Sequence, residues 1–207
     1  MKNIVLIIEF CVLFLAMPLL VFFDILRLPK LLILLICTIY CMYILWKDPE
    51  FERKMLWNID GLKNHYKQIL VRAAFAMVFI SIIFALFEPE ELFVIVINKP
   101  LTWLMIIVLY PLLSVLPQEL IYRGYIFHRY RFLFVSGRLQ VHLSALAFAF
   151  VHIIYFNYPA VFLTYGAGYL FARTYKETRS LLAVSLEHTI YGCFLFTIGL
   201  GKYFYVS

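Results

Sequence analysis

Charge is scarce in this chain. Asp, Glu, Lys and Arg make up 14% of its 207 residues against 65% hydrophobic, and the mean hydropathy is +0.92. That balance excludes an ordinary soluble domain. Cysteine is sparse too. Cys11, Cys37, Cys41 and Cys193 sit in apolar runs without CxxC or metal-finger spacing, so they are read as small buried hydrophobes rather than redox or metal groups. There is no internal repeat and no low-complexity tract. No small-x-small cleavage site follows the first apolar run, where Pro18, Phe22, Phe23 and Asp24 stand, which favours a retained helix over a signal peptide. The net charge of +6 calls for no nucleic-acid partner, because the basic residues fall where anionic lipid headgroups would lie.

What the chain does have is a succession of apolar runs: Asn3 to Phe23, Leu31 to Trp46, Ile69 to Phe87, Leu101 to about Phe127, Val141 to Phe156, Pro159 to Ala172 and Leu181 to Leu200. The expected fold is all-α, a polytopic transmembrane bundle of seven or eight helices, with residues 1–207 forming one integral membrane domain. Several runs are shorter than the roughly 20 residues that cross a bilayer unaided, which predicts tilted or partly re-entrant helices.

If each run crosses once, twelve of the eighteen Lys and Arg residues share a side with the N-terminus. The positive-inside bias then makes that side cytoplasmic, in a cytoplasmic membrane. The same count requires the run from Leu101 to be one long helix, bent at Pro111 and Pro117. Asp48 to Gln68 reads as an interfacial helix and Glu88-Pro89-Glu90-Glu91 as a solvated turn. Gly166-Ala167-Gly168 and Gly199-Leu200-Gly201 read as close helix contacts.

Within this apolar background the few polar residues stand out. Gln118-Glu119-Leu120-Ile121-Tyr122-Arg123 sets a carboxylate and a guanidinium one helical turn apart, where they can pair. Neither belongs against hydrocarbon, so the pair is expected inside the bundle. His152 follows Phe148 by one turn, and His188 stands beside Glu187 on the last apolar run. Glu9 is read as a headgroup-level or neutralised carboxyl, and Arg72 as a snorkelling side chain.

Two histidines and a carboxylate on three helices suit hydrolysis. A carboxylate in low dielectric can take a proton from water, an imidazole can orient that water, and a second imidazole can serve the oxyanion. No serine or cysteine nucleophile has a recognisable base beside it, so direct attack by water is the simpler chemistry.

The succession Glu-x-x-x-Arg, Phe-x-x-x-His and a third His-bearing helix resembles the CAAX prenyl endopeptidase and bacteriocin-processing (CPBP, or Abi) family of intramembrane glutamic proteases. The likeness covers residues 101–200, a CPBP-like catalytic core. In that family the motifs are Glu-Glu-x-x-x-Arg, Phe-x-x-x-His and His-x-x-x-Asn or Asp. The resemblance implies that the first Glu and first His activate water, that the second Glu and the Arg brace the site, and that the last His and Asn form the oxyanion hole. It also implies no metal and no cofactor, and a membrane protein or lipidated peptide as substrate within the lipid bilayer.

In register, Gln118 takes the first Glu's place, Glu119 and Arg123 the bracing pair, His152 the water partner and His188 the oxyanion donor, while Gly192 stands where the Asn would be. Glutamine cannot act as a base, so Glu119 is expected to take that role, with Glu187 as a second candidate. Gln118 supplies a supporting hydrogen bond, and Tyr122 and Phe148 are secondary candidates. Three other readings stay open: an inactive relative that binds membrane peptides, a zinc hydrolase ligated by Glu119, His152 and His188, and a proton-coupled transporter.

Overall fold

The computed structural model describes residues 2–134 and 136–205. Their regular structure is all helical, in seven long helices: α1 (Asn3–Phe22), α2 (Lys30–Lys47), α3 (Ile59–Phe87), α4 (Pro100–Arg129), α5 (Gly137–Val151), α6 (Tyr158–Thr178) and α7 (Leu181–Ile198). A short helix at Val94–Asn98 leads into α4, and α5 runs on into a 3-10 turn at His152–Tyr155. Six of the helices are long and apolar enough to cross a membrane. The protein is an integral membrane helical bundle.

Local chemistry sets the helix starts. The side chains of Asn58, Asn157 and Ser180 accept from the backbone N–H three residues on, capping α3, α6 and α7. Pro100 and Pro159 open α4 and α6, where a missing N–H is harmless.

Three expectations need correction. Residues 48–68 do not form a separate interfacial helix: a 3-10 turn at Arg53–Leu56 precedes Asn58, and residues 59–68 are the first turns of α3. The cap on Asn58 joins this hydrophilic stretch to the apolar one behind it. The run from Pro159 to Ala172 belongs to α6, which is not among the helices apolar enough to span alone. Thr164, Thr174 and Thr178 are buried on it, and Arg173, Lys176 and Glu177 occupy its end. The Glu88 loop is tied down, with Lys202 and Tyr203 both donating to Glu88.

Apolar side chains on α1, α3 and α4 face outward, Phe75, Leu86 and Leu101 each at 76% exposure, as a lipid-facing surface requires. The core gathers around the second half of α4, where Leu120, Ile121, Tyr122, Tyr125 and Ile126 are buried against Phe148, Phe171 and Val184. At Gly168 of α6 an added Cβ would lie 3.0 Å from Phe148 and 3.3 Å from the Ala145 backbone, so the bare glycine sets the approach of α6 to α5. Gly166 faces open space.

Candidate active site

α4 is one continuous helix, as the charge count requires, but its windings change twice. π-helical turns occur at Pro111–Val115 and Leu120–Tyr125, each beside a proline or just beyond one. Such widened turns re-aim side chains within an otherwise regular helix and recur at functional sites. The second begins directly after Glu119 and carries Arg123.

Glu119 and Arg123 are both fully buried, with Arg123 Nε 3.2 Å from Glu119 Oε2. That contact is an ion pair without hydrogen-bond alignment, since neither atom has a hydrogen-bond partner among the described residues. The guanidinium also donates to the Gly168 carbonyl at 3.2 Å and lies 4.5 Å above the Phe148 ring. Arg123 thus ties α4 to α5 and α6.

The other carboxylate oxygen settles Glu119's place. Glu119 Oε1 is 2.7 Å from His188 Nδ1, and His188 Nε2 is 3.0 Å from the Tyr110 hydroxyl. Carboxylate, imidazole and phenol therefore form a chain across α4, α7 and back to α4. Phe171 stacks on the His188 ring with centroids 4.6 Å apart, and Phe148 meets it edge-on at 5.5 Å. His152 packs on the same Phe148, at 4.8 Å, with its Nδ1 2.6 Å from the Phe148 carbonyl. In the neutral ring that bond places the proton on Nδ1 and leaves Nε2 with a lone pair.

Two adjoining cavities meet at Ser114, Gln118, His152 and Tyr155. The larger, about 230 Å³, is walled by apolar residues of α1 and α2 such as Leu13, Phe14, Val21 and Leu34, with Tyr122 on α4 and Lys30 among its few charged or polar groups. The smaller, about 140 Å³, adds Tyr110, Phe148, His188 and Gly192. His152 and His188 thus share a hollow, with Gln118 beside them and its amide donating to Ser114 Oγ at 2.6 Å.

Glu119 is not among the lining residues of either cavity. Its Oε1 contacts His188, which does line the smaller one. The cause lies in helical phase, because Gln118 and Glu119 point about 100° apart and Gln118 has the cavity side. Glu187 pairs with Arg72. Its Oε1 accepts from Arg72 Nε at 3.0 Å and Nη2 at 2.7 Å, and it too lines no cavity.

Arg72 therefore points into the bundle instead of snorkelling, and also donates to Thr174. Glu9 does not stand alone; it accepts from Arg129 at 2.8 Å, Tyr125 at 2.7 Å and Tyr130 at 3.0 Å, joining α1 to the end of α4. Among the described residues no three His, Cys, Asp or Glu side chains converge as ligands.

Tyr110 escaped sequence reasoning. A tyrosine on an apolar helix looks like any interfacial aromatic, and only the distance to His188 distinguishes it.

Residues 99–194, from the foot of α4 almost to the end of α7, match the family model described as type II CAAX prenyl endopeptidase Rce1-like. No curated protein and no solved structure matches the chain.

Proposed function

From the match of residues 99–194 to the family model of Rce1-like type II CAAX prenyl endopeptidases, we propose that the protein cleaves a peptide bond in a prenylated or membrane-embedded peptide, using water activated on an imidazole. The observation that carries this is the shared hollow: His152 and His188 line one cavity with Gln118, beside a larger apolar one.

The apolar cavity suits a lipid chain or apolar side chains, and the smaller one suits the scissile bond. His152 Nε2, whose lone pair the Nδ1 bond to Phe148 leaves free, takes the proton as water attacks the carbonyl carbon. The carbonyl electrons move onto oxygen in the hollow walled by His188, which Glu119 fixes in orientation. Collapse of the tetrahedral adduct breaks the C–N bond, and the proton on His152 passes to the leaving amine. Gln118 orients the water by hydrogen bonding, and Arg123 keeps Glu119 in place. The N-terminus lies on the cytoplasmic side in this proposal, with the basic loops.

A second reading starts from one observation. Neither cavity has a carboxylate among its lining residues, so the chain holds fewer bases at the water than the motif Glu-Glu-x-x-x-Arg provides, and a chain that only binds prenylated peptides would look the same. Purified protein in liposomes, given a prenylated peptide in water enriched with oxygen-18, separates the two. The protease produces one new carboxylate carrying the label; a binding protein retains the peptide intact.

A further inference from the structure

His188 and Gly192 lie one turn apart on α7, on the same face. A Cβ built at Gly192 would come within 2.3 Å of Tyr110 Cε1, 2.4 Å of its hydroxyl and 2.6 Å of Cζ. The Tyr110 ring therefore fills the space that any side chain at 192 would need. It packs edge-on to Phe196 at 5.3 Å and to His188 at 6.0 Å, and its hydroxyl ends 3.0 Å from His188 Nε2 on the wall of the smaller cavity. A phenol brought this far into an apolar bundle is useful for its hydroxyl, since Phe would fill the same volume without needing a polar partner.

Building on the proposed hydrolysis, we propose that Tyr110 is a catalytic residue, its hydroxyl donating to the oxyanion of the scissile carbonyl from the seat that Gly192 leaves empty. A hydroxyl both accepts and donates. With Nδ1–H donating to Glu119, the phenol O–H rests on His188 Nε2 at 3.0 Å and turns to the carbonyl oxygen as negative charge builds there. The donor thus comes from α4, while position 192 of α7 contributes only space. No bond to Tyr110 forms or breaks. Its proton stays on the phenol while negative charge builds on the carbonyl oxygen.

The test uses the full-length protein in liposomes with two probes: a prenylated peptide for turnover, and the same peptide with a phosphinate in place of the scissile amide, whose anionic oxygen imitates the oxyanion. Tyr110→Phe keeps the ring and removes the donor. The expected result is a fall in kcat of about 10²–10³ with KM nearly unchanged, the usual cost of one oxyanion donor. Phosphinate binding should weaken at least tenfold while the melting temperature holds. Gly192→Asn alone should lose activity through collision with the ring, and Tyr110→Ala with Gly192→Asn should recover most of what Tyr110→Ala alone loses.

Equal phosphinate binding by wild type and Tyr110→Phe overturns the proposal, as does no phosphinate binding by either. Wild type that binds phosphinate through Tyr110 yet never turns over the peptide upholds the donor and refutes the hydrolysis, so the two failures are distinguishable.

Discussion

Glu119 Oε1 lies 2.7 Å from His188 Nδ1, while its other oxygen lies 3.2 Å from Arg123 Nε. One buried carboxylate thus holds both an imidazole and a guanidinium, and its loss should be felt in rate and in stability. Replacing the carboxylate behind a catalytic imidazole by an amide costs about 10⁴ in kcat in the serine-protease triad. Glu119→Gln should lose roughly 10²–10⁴ in turnover and, by leaving Arg123 buried without a countercharge, destabilise the fold by about 3 kcal/mol. Cleavage rates and thermal melts on the same preparation check both. Unchanged rates would mean that His188 needs no anchor.

Gln118 has the cavity side of α4 and cannot take a proton. Gln118→Glu places a carboxylate beside His152 with almost no change in volume. A positioned general base contributes about 10²–10⁴ in rate, so turnover in this variant should rise at least tenfold. Glu119→Gln combined with Gln118→Glu should stay slow, because His188 would still lack its anchor. A variant no faster than wild type would show that the cavity water lies out of reach of position 118.

The pair Arg72–Glu187 binds α3 to α7 away from both cavities, with the Glu187 side chain fully buried and Arg72 24% exposed. Removing one partner of a buried pair leaves an uncompensated charge, whereas replacing both by apolar groups is often neutral. Glu187→Gln should lower the melting temperature clearly, Arg72→Met with Glu187→Leu should restore most of it, and both should retain the wild-type KM. A Glu187→Gln protein that is fully stable but inactive would return Glu187 to the reaction.

How much of this was legible in the sequence follows from chain separation. The Glu119–Arg123 pair spans one helical turn, and the spacing alone announces it. The single long α4 followed from counting basic residues. Arg72 and Glu187 are 115 positions apart, and Glu9 and Arg129 are 120 apart, so nothing local couples them; Glu9 and Arg72 read as charges near headgroup level, and Glu187 as a candidate base. That Gln118 and not Glu119 lines the cavities was hidden for a finer reason: which of two adjacent helical residues faces a cavity depends on a phase that the π turns of α4 alter. The start of α3 was hidden because its first turns are hydrophilic and outlast the apolar stretch that marked it.

Acidification should act at the loop after α3. Hydrogen bonds from Lys202 and Tyr203 hold the Glu88 carboxyl below its ordinary range. A carboxyl whose pKa is lower folded than unfolded adds stability above its unfolded value and loses it as the pH falls toward the folded one. Wild-type protein in detergent should therefore lose stability on going from neutral pH to below the carboxylate range. In Glu88→Gln part of that slope should vanish. Superimposable pH profiles would show that the loop contacts contribute nothing in solution.

Two imidazoles facing one hollow are the centre of this account, and the most direct measurement is single-turnover cleavage of a prenylated peptide by His152→Gln, set against wild type over a range of pH. Glutamine can still bond the Phe148 carbonyl but cannot accept a proton from water. The account predicts a loss of about 10²–10⁴ in rate, the contribution of a positioned general base. It also predicts disappearance of the acidic limb of the wild-type pH profile, with peptide binding intact. A His152→Gln protein that cleaves at the wild-type rate with the wild-type profile would contradict it.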